Sequence, residues 1–359
     1  MTLPQSDILS TRYLNRVFDK TVATYKYYWL LGLLEEVVLK GNRCINIWDM
    51  IISMVANAWY PVVYFRLSFG KSESLYETIL KLQQQQQIPI NLSKKELTAR
   101  LYELIQHKEI RDQLNFLQLN VPFWFLRPWI DTTNPREIEL RSQSWENGCL
   151  YRLVRIGGVM HVEVNAQWTG YLQENYTILT SFAYWNLTNF LQARNPNVPN
   201  ISGKLIKPEE RNSLSKQREF WNTAINNGLE VHCLYTGKIL TPRHYDLDHF
   251  IPWSFVSHDQ IWNLMPADSS INSSKSNHLP NLDYYLPHLA EAQQAALRIN
   301  LQLNCQPKLL EDYFSLGFSP QEIVAMDHEH LLNCFKKTFE PMSQIAENMG
   351  FETWKYTQS

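Results

Sequence analysis

From residue 7 to about residue 120, apolar positions recur mostly at the three-to-four-residue spacing of helices. Two stretches, Tyr25–Val38 and Ile47–Phe65, are dense enough in aromatic and aliphatic residues to read as core-facing elements. The apolar run from Met50 to Phe65 is shorter than the ~20 residues of a bilayer span. It also contains Ser53, Asn57 and Pro61, so a buried helix stopping near Pro61 is expected. Ser93-Lys94-Lys95-Glu96 has the form of a capping box, in which hydroxyl and carboxylate each satisfy a free backbone N–H. Leu97, Leu101, Leu104 and Ile105 follow it on one helical face. The glutamines 83–87 continue the preceding helical pattern and read as a helix end or polar linker. Two prolines and four aromatic residues between Val121 and Asn134 predict an irregular packed loop where regular helix stops.

Further on the period changes from helical to alternating. Leu150–Ile156 and Val159–Val164 alternate apolar and polar side chains around Gly157-Gly158, which predicts a β-hairpin over residues 151–165. Helical patterning returns from Gly170 to Arg194. Residues 195–204, with two prolines, a glycine and several asparagines and serines, mark a boundary. A helix from Pro208 to Asn226, a motif-dense region over 230–281 and a helical tail follow. Ser319-Pro320-Gln321-Glu322 starts one tail helix with an N-cap serine and a proline at the first helical position. The expected fold class is α+β: a mainly helical domain with a small hairpin over 1–200, in a recognition or partner-binding role, a motif-bearing domain over 205–290, and a helical C-terminal extension over 291–359.

Composition narrows this picture. A chain of 359 residues that is 45% hydrophobic has material for two folded units. Cys44, Cys149, Cys233, Cys305 and Cys334 form no CxxC pair, which predicts neither a disulfide framework nor a structural zinc and fits a reducing, cytoplasmic setting. The N-terminal segment lacks an apolar core behind a basic start, so no signal peptide is expected, and no membrane partner. A formal charge of −2 announces no nucleic-acid partner, yet the acidic surplus lies in residues 281–359 and the remainder is slightly basic. Lys204, Lys207, Arg211, Lys216 and Arg218 form a modest basic linker, and Arg152 and Arg155 on the hairpin are weaker phosphate candidates.

The chemistry concentrates late in the chain. Six of the ten histidines, at 232, 244, 249, 258, 278 and 288, fall in one window. At its centre stands Asp246-Leu-Asp248-His249-Phe-Ile-Pro252-Trp-Ser254-Phe255, followed by Asn263-Leu, Asn272-Ser-Ser-Lys275 and Asn277. Hydrolysing a phosphodiester needs an activated water, a divalent cation against the phosphate, and hard oxygen ligands for that cation. Asp248 and His249 supply a metal ligand and a base, provided that a strand end or bulge makes these neighbours converge. Asn272 offers a neutral amide oxygen. Lys275, three residues later on a helix, shares its face and could hold a phosphate. The bland readings are a solvated strand-end pair for Asp248 and His249, an N-cap for Asn272, and surface positions for the other histidines.

This string resembles the HNH, or ββα-metal, endonuclease family, and most of all the HNH domain of the type II RNA-guided CRISPR nucleases. The resemblance covers residues 230–281. His232-Cys233-Leu-Tyr235-Thr236-Gly237 resembles the C-x-Y-x-G entry of many such domains, without the paired cysteines of the zinc-bound subgroup. Asn277 falls one position earlier than in the CRISPR pattern. The resemblance implies His249 as general base, Asp248 and Asn272 as ligands of Mg²⁺ or another divalent cation such as Mn²⁺, and Asn263 as the residue that ties the loop and orients His249. Lys275 becomes a phosphate contact, Asp246 a supporting acid, and Asn277 a competing ligand. The implied activity is metal-assisted hydrolysis of nucleic acid, DNA before RNA, in bacterial restriction or phage defence. The alternatives are a non-cleaving nucleic-acid-binding scaffold that keeps the fold, and a nuclease subunit active only with a protein partner bound through residues 1–200.

Overall fold

The computed structural model describes residues 2–71, 73–207, 212–242 and 244–354. The chain divides into two compact units, one of Met1–Pro196 with Ile201–Glu209 and the other of Asn197–Asn200 with Glu210–Ser359. Both combine helices with small antiparallel sheets, so the fold is α+β. Among the described residues no helix is long and apolar enough to cross a membrane.

In the first unit the helix Tyr25–Leu34, buried along nearly its whole length, packs on Ile47–Trp59 and on Tyr176–Gln192. Gly32 allows the first of these approaches, because a Cβ there would stand 3.2 Å from the Cβ of Ser53. The Ser93 capping box forms as the sequence predicts, with Lys94–Leu104 behind it. Two proline expectations need correction. The chain does not stop at Pro61 but continues from Trp59 into a π-helical turn, Tyr60–Tyr64, whose wider winding accommodates the missing N–H. Nor is 121–134 irregular throughout, since helix runs from Phe116 to Phe125 straight through Pro122. Buried Leu117, Val121, Phe123 and Phe125 hold that helix, so tertiary burial outweighs the lost backbone bond.

The sheet of this unit has three strands: β1 (Cys44–Asn46), β2 (Tyr151–Ile156) and β3 (Val159–Val164), in the order β1-β3-β2. Gly157 and Gly158, at φ 58° and 80°, close the β2–β3 hairpin with the left-handed pair that a tight turn demands. Arg152 is held in a bidentate pair by Glu163 across the strands, and Arg155 lies 3.5 Å from Glu139. Of the expected basic linker, Lys204 is fully buried and burial lowers its pKa to about 7. Lys207 donates to the Asn91 carbonyl and Arg218 to that of Tyr245. Arg211 and the first turn of the expected 208–226 helix lie outside the described residues; the helix there is Ser215–Asn226.

The second unit carries two two-stranded sheets, β4 (Val231–His232) with β5 (Ile239–Leu240) and β6 (Asp246–His249) with β7 (Leu264–Ala267). The helices Leu282–Gln302 and His328–Asn348 share one apolar core with Trp221, Phe250 and Trp262. Buried amides bind this tail to the motif region. Gln293 donates to the carbonyls of Ile261 and Leu264 at 2.9 and 2.8 Å and accepts from Tyr313 at 2.5 Å. Asn300 donates to Phe220 at 3.1 Å, and Asp312 accepts the Ile261 N–H at 2.9 Å.

Candidate nuclease site

β6 and β7 pair antiparallel with Asp248 opposite Met265 and His249 opposite Leu264, and β7 runs into the helix Ser269–Lys275. Asp268 caps that helix by accepting the Ser270 N–H at 3.0 Å. Lys238 and Ser270 together hold the Asp268 carboxyl down at about 2. Asn272 is therefore no cap. Its half-buried side chain makes no hydrogen bond among the described residues, and one turn later on the same face stands Lys275.

Asp248 is 4% exposed and its carboxylate is already partnered. It accepts from the Tyr235 hydroxyl at 2.7 Å and from the Lys275 ammonium at 3.0 Å. Burial, then the Asp248 charge, push the Tyr235 hydroxyl far above its usual range, so it stays a donor. Lys275 is completely buried and also donates to the His249 carbonyl at 2.8 Å. The phosphate contact expected of Lys275 needs a head group that reaches solvent, and here that head group is the counter-charge of Asp248.

His249, 8% exposed, stands at the last position of β6, and its Nε2 lies 2.9 Å from Asp259 Oδ1. The β6–β7 register has no bulge, so the two side chains leave on opposite faces of the strand. The expected convergence is replaced by an indirect link, in which Lys275 bonds both the Asp248 carboxylate and the His249 backbone. Asn263 is fully buried, and its amide holds the chain just past His249 through the N–H and carbonyl of Ile251 at 2.9 and 3.0 Å. Its backbone carbonyl also accepts the Phe250 N–H at 2.8 Å. The loop tie is Asn263's, but the contact with the imidazole belongs to Asp259.

Asn277 accepts from the buried Ser254 hydroxyl at 3.1 Å, which makes it a packing contact. Asp246 is half-buried and shares the Asp248 face of β6. His232 is held by Gly237 and Glu230, and His278 by the Lys275 carbonyl. Two members of the site have weak sequence signals. Tyr235 belongs to the C-x-Y-x-G turn, which Cys233 and Gly237 close by a 2.9 Å backbone bond. Asp259 lies ten residues past His249 with nothing in its spacing to single it out.

Among the described residues no three His, Cys, Asp or Glu side chains form a metal-binding group. A cation here would rest on Asp248, neutral oxygens such as that of Asn272, and water.

A strand pair running into a helix, with Asp-His at the end of the first strand, is the arrangement of the ββα-metal nucleases. The family model described as HNH endonuclease matches residues 233–281, from the Cys233 turn to the residue before the Leu282–Gln302 helix. That match points to a nuclease acting on nucleic acid. Comparisons with curated proteins and with solved structures return no match.

Proposed function

We propose that the second unit is a divalent-cation-dependent endonuclease that hydrolyses DNA phosphodiester bonds, with His249 as general base. The observation that carries this reading is the His249–Asp259 contact at the end of β6, inside the segment that matches the HNH model. With Nε2–H donated to Asp259, the other ring nitrogen is the one left to take a proton from the attacking water. Asp259 then balances the imidazolium that forms, and Asn263 keeps the turn beyond His249 fixed.

Asp248 and Asn272 are the proposed holders of the cation, which when bound would neutralise charge on the phosphate and the leaving oxygen. Lys275 holds the Asp248 carboxylate in place. The products are a 5′-phosphate and a 3′-hydroxyl.

Purified full-length protein incubated with supercoiled plasmid and Mg²⁺ tests the reading. Nicking is expected, falling by about 10²–10⁴ in His249→Ala. Equal nicking by both proteins removes His249 as base. Silence from both, with or without Mn²⁺, favours the non-cleaving scaffold or a partner-activated subunit.

A further inference from the structure

The first unit holds a partly enclosed cavity of about 390 Å³, outside the nuclease segment, lined by Asn57, Tyr60, Lys94, Lys95, Tyr184 and Lys207 with Leu205 and Ile206 as apolar wall. Among the described residues three lysines and no carboxylate line it. Two carboxylates stand close: Glu35, ion-paired with Lys94, and Glu96, closed onto Ser93 in the capping box. Lys95 and Lys207 enter no ion pair among the described residues, so positive charge at the cavity exceeds what these partners offset. The first turn of the Lys94–Leu104 helix adds backbone N–H groups and the positive end of the helix dipole.

Two further observations point to a ligand. Tyr60 is 5% exposed and its hydroxyl has no hydrogen-bond partner among the described residues, a buried polar group that the described fold does not satisfy. The two π-helical turns among the described residues, Glu35–Leu39 and Tyr60–Tyr64, begin at Glu35 and Tyr60, which belong to this cluster. Such turns are rare and collect at functional sites. Glu35 also receives Ser53 at 2.6 Å and Asn57 at 3.1 Å, so the cavity-lining Asn57 is held from behind by a fixed polar network.

We propose that this cavity binds a nucleoside phosphate. Its volume and apolar wall exceed what inorganic phosphate would fill and lie within the range of small-molecule sites. Lysines and the helix terminus suit the phosphate, the apolar wall with the half-buried Tyr184 ring a flat base, and the Tyr60 hydroxyl a polar group on that ligand.

The experiment is calorimetric titration of the full chain with AMP, GMP, CMP and UMP, and with inorganic phosphate and adenosine alone. At least one nucleotide is expected to bind more tightly than about 1 mM, with phosphate and nucleoside each at least about tenfold weaker. The double variant Lys95→Gln/Lys207→Gln should weaken that nucleotide by about tenfold or more, and Tyr60→Phe by several-fold. His249→Ala should bind as the wild type does, which separates this site from the proposed nuclease centre. Lys95 is exposed, Lys207→Gln gives up one bond to the Asn91 carbonyl, and Tyr60→Phe removes one oxygen, so circular dichroism of each variant accompanies the titrations to verify the fold. Absence of binding by all four nucleotides overturns the proposal. So does binding that survives the lysine and tyrosine substitutions, or that disappears with His249→Ala.

Discussion

Replacing Lys275 with methionine keeps most of the side-chain volume and removes one charge from a dry place. The ammonium is 0% exposed and lies 3.0 Å from an Asp248 carboxylate that is itself 4% exposed. Without it, the carboxylate retains, among the described residues, the Tyr235 hydroxyl at 2.7 Å, and the His249 carbonyl loses its donor at 2.8 Å. Removing one partner of a buried ion pair costs about 3–5 kcal/mol, because the remaining charge is stranded. For a unit of roughly 150 residues each kcal/mol moves the midpoint by about 2–4 °C, so the transition of the second unit should fall by about 6–20 °C.

The double variant Asp248→Asn/Lys275→Met strands no charge. It should recover most of that loss, leaving about 1–2 kcal/mol for the unsatisfied His249 carbonyl. Calorimetric unfolding of wild type, both single variants and the double variant gives the coupling directly. A coupling below about 0.5 kcal/mol, or a Lys275→Met protein as stable as wild type, refutes the argument that the pair is a mutual counter-charge. Under the proposed metal role, Mg²⁺ should raise the midpoint of Lys275→Met more than that of wild type, since no ammonium then competes at Asp248.

Three further outcomes are expected. Asp259→Ala should lower the nicking rate by about ten- to a hundredfold with substrate binding unchanged, and Asp259→Asn should lose less because an acceptor remains; single-turnover cleavage checks both. Gln293→Leu should destabilise the second unit by about 1–3 kcal/mol in urea unfolding, since it leaves the Tyr313 hydroxyl without its acceptor and removes one donor each from the carbonyls of Ile261 and Leu264. Glu73 in the first unit is raised from 4.5 to about 7 by burial, against the two hydrogen bonds from Thr24. A raised acid binds its proton more tightly when folded, so its contribution is intact below about 4.5 and is lost as pH climbs to about 7. Glu73→Gln should therefore flatten the pH dependence of first-unit stability over that interval, seen by thermal unfolding at stepped pH.

What the sequence reveals of this molecule is what lies close together along it. The two capping boxes and the Gly157-Gly158 hairpin depend on residues a few positions apart, and the ββα order around Asp248, His249 and Asn272 on one continuous stretch of the chain. The prolines misled because their cost is local and the burial that offsets it is not: Pro122 sits in a helix held by distant apolar partners. β1 escaped because three residues inside a helical stretch carry no readable period, and only pairing with β3, far along the chain, makes them a strand. Asp259 escaped for the same reason, as did the bond to Asp248 of Tyr235, a residue read only as part of the C-x-Y-x-G turn. Each reaches its partner through a fold in the chain, and neither spacing nor residue type singles out such a contact beforehand.

Lys275 shows how one physical constraint decides between two readings of a single residue. Helical spacing placed it on the face of Asn272, and the structure keeps it on that helix, so the placement holds. Its role turns on solvent. A lysine that contacts phosphate must spend part of its time in water, where a stem of four methylenes lets its charge wander. A lysine with no exposure must have its charge met inside, and Asp248 and the His249 carbonyl meet it. Because one bond goes to the proposed metal ligand and the other to the backbone of the proposed base, Lys275 fixes the spacing of those two residues. A substitution that keeps charge but changes reach, Lys275→Arg, should therefore disturb cleavage more than it disturbs nucleic-acid binding. Equal losses in both would return Lys275 to the phosphate-contact role.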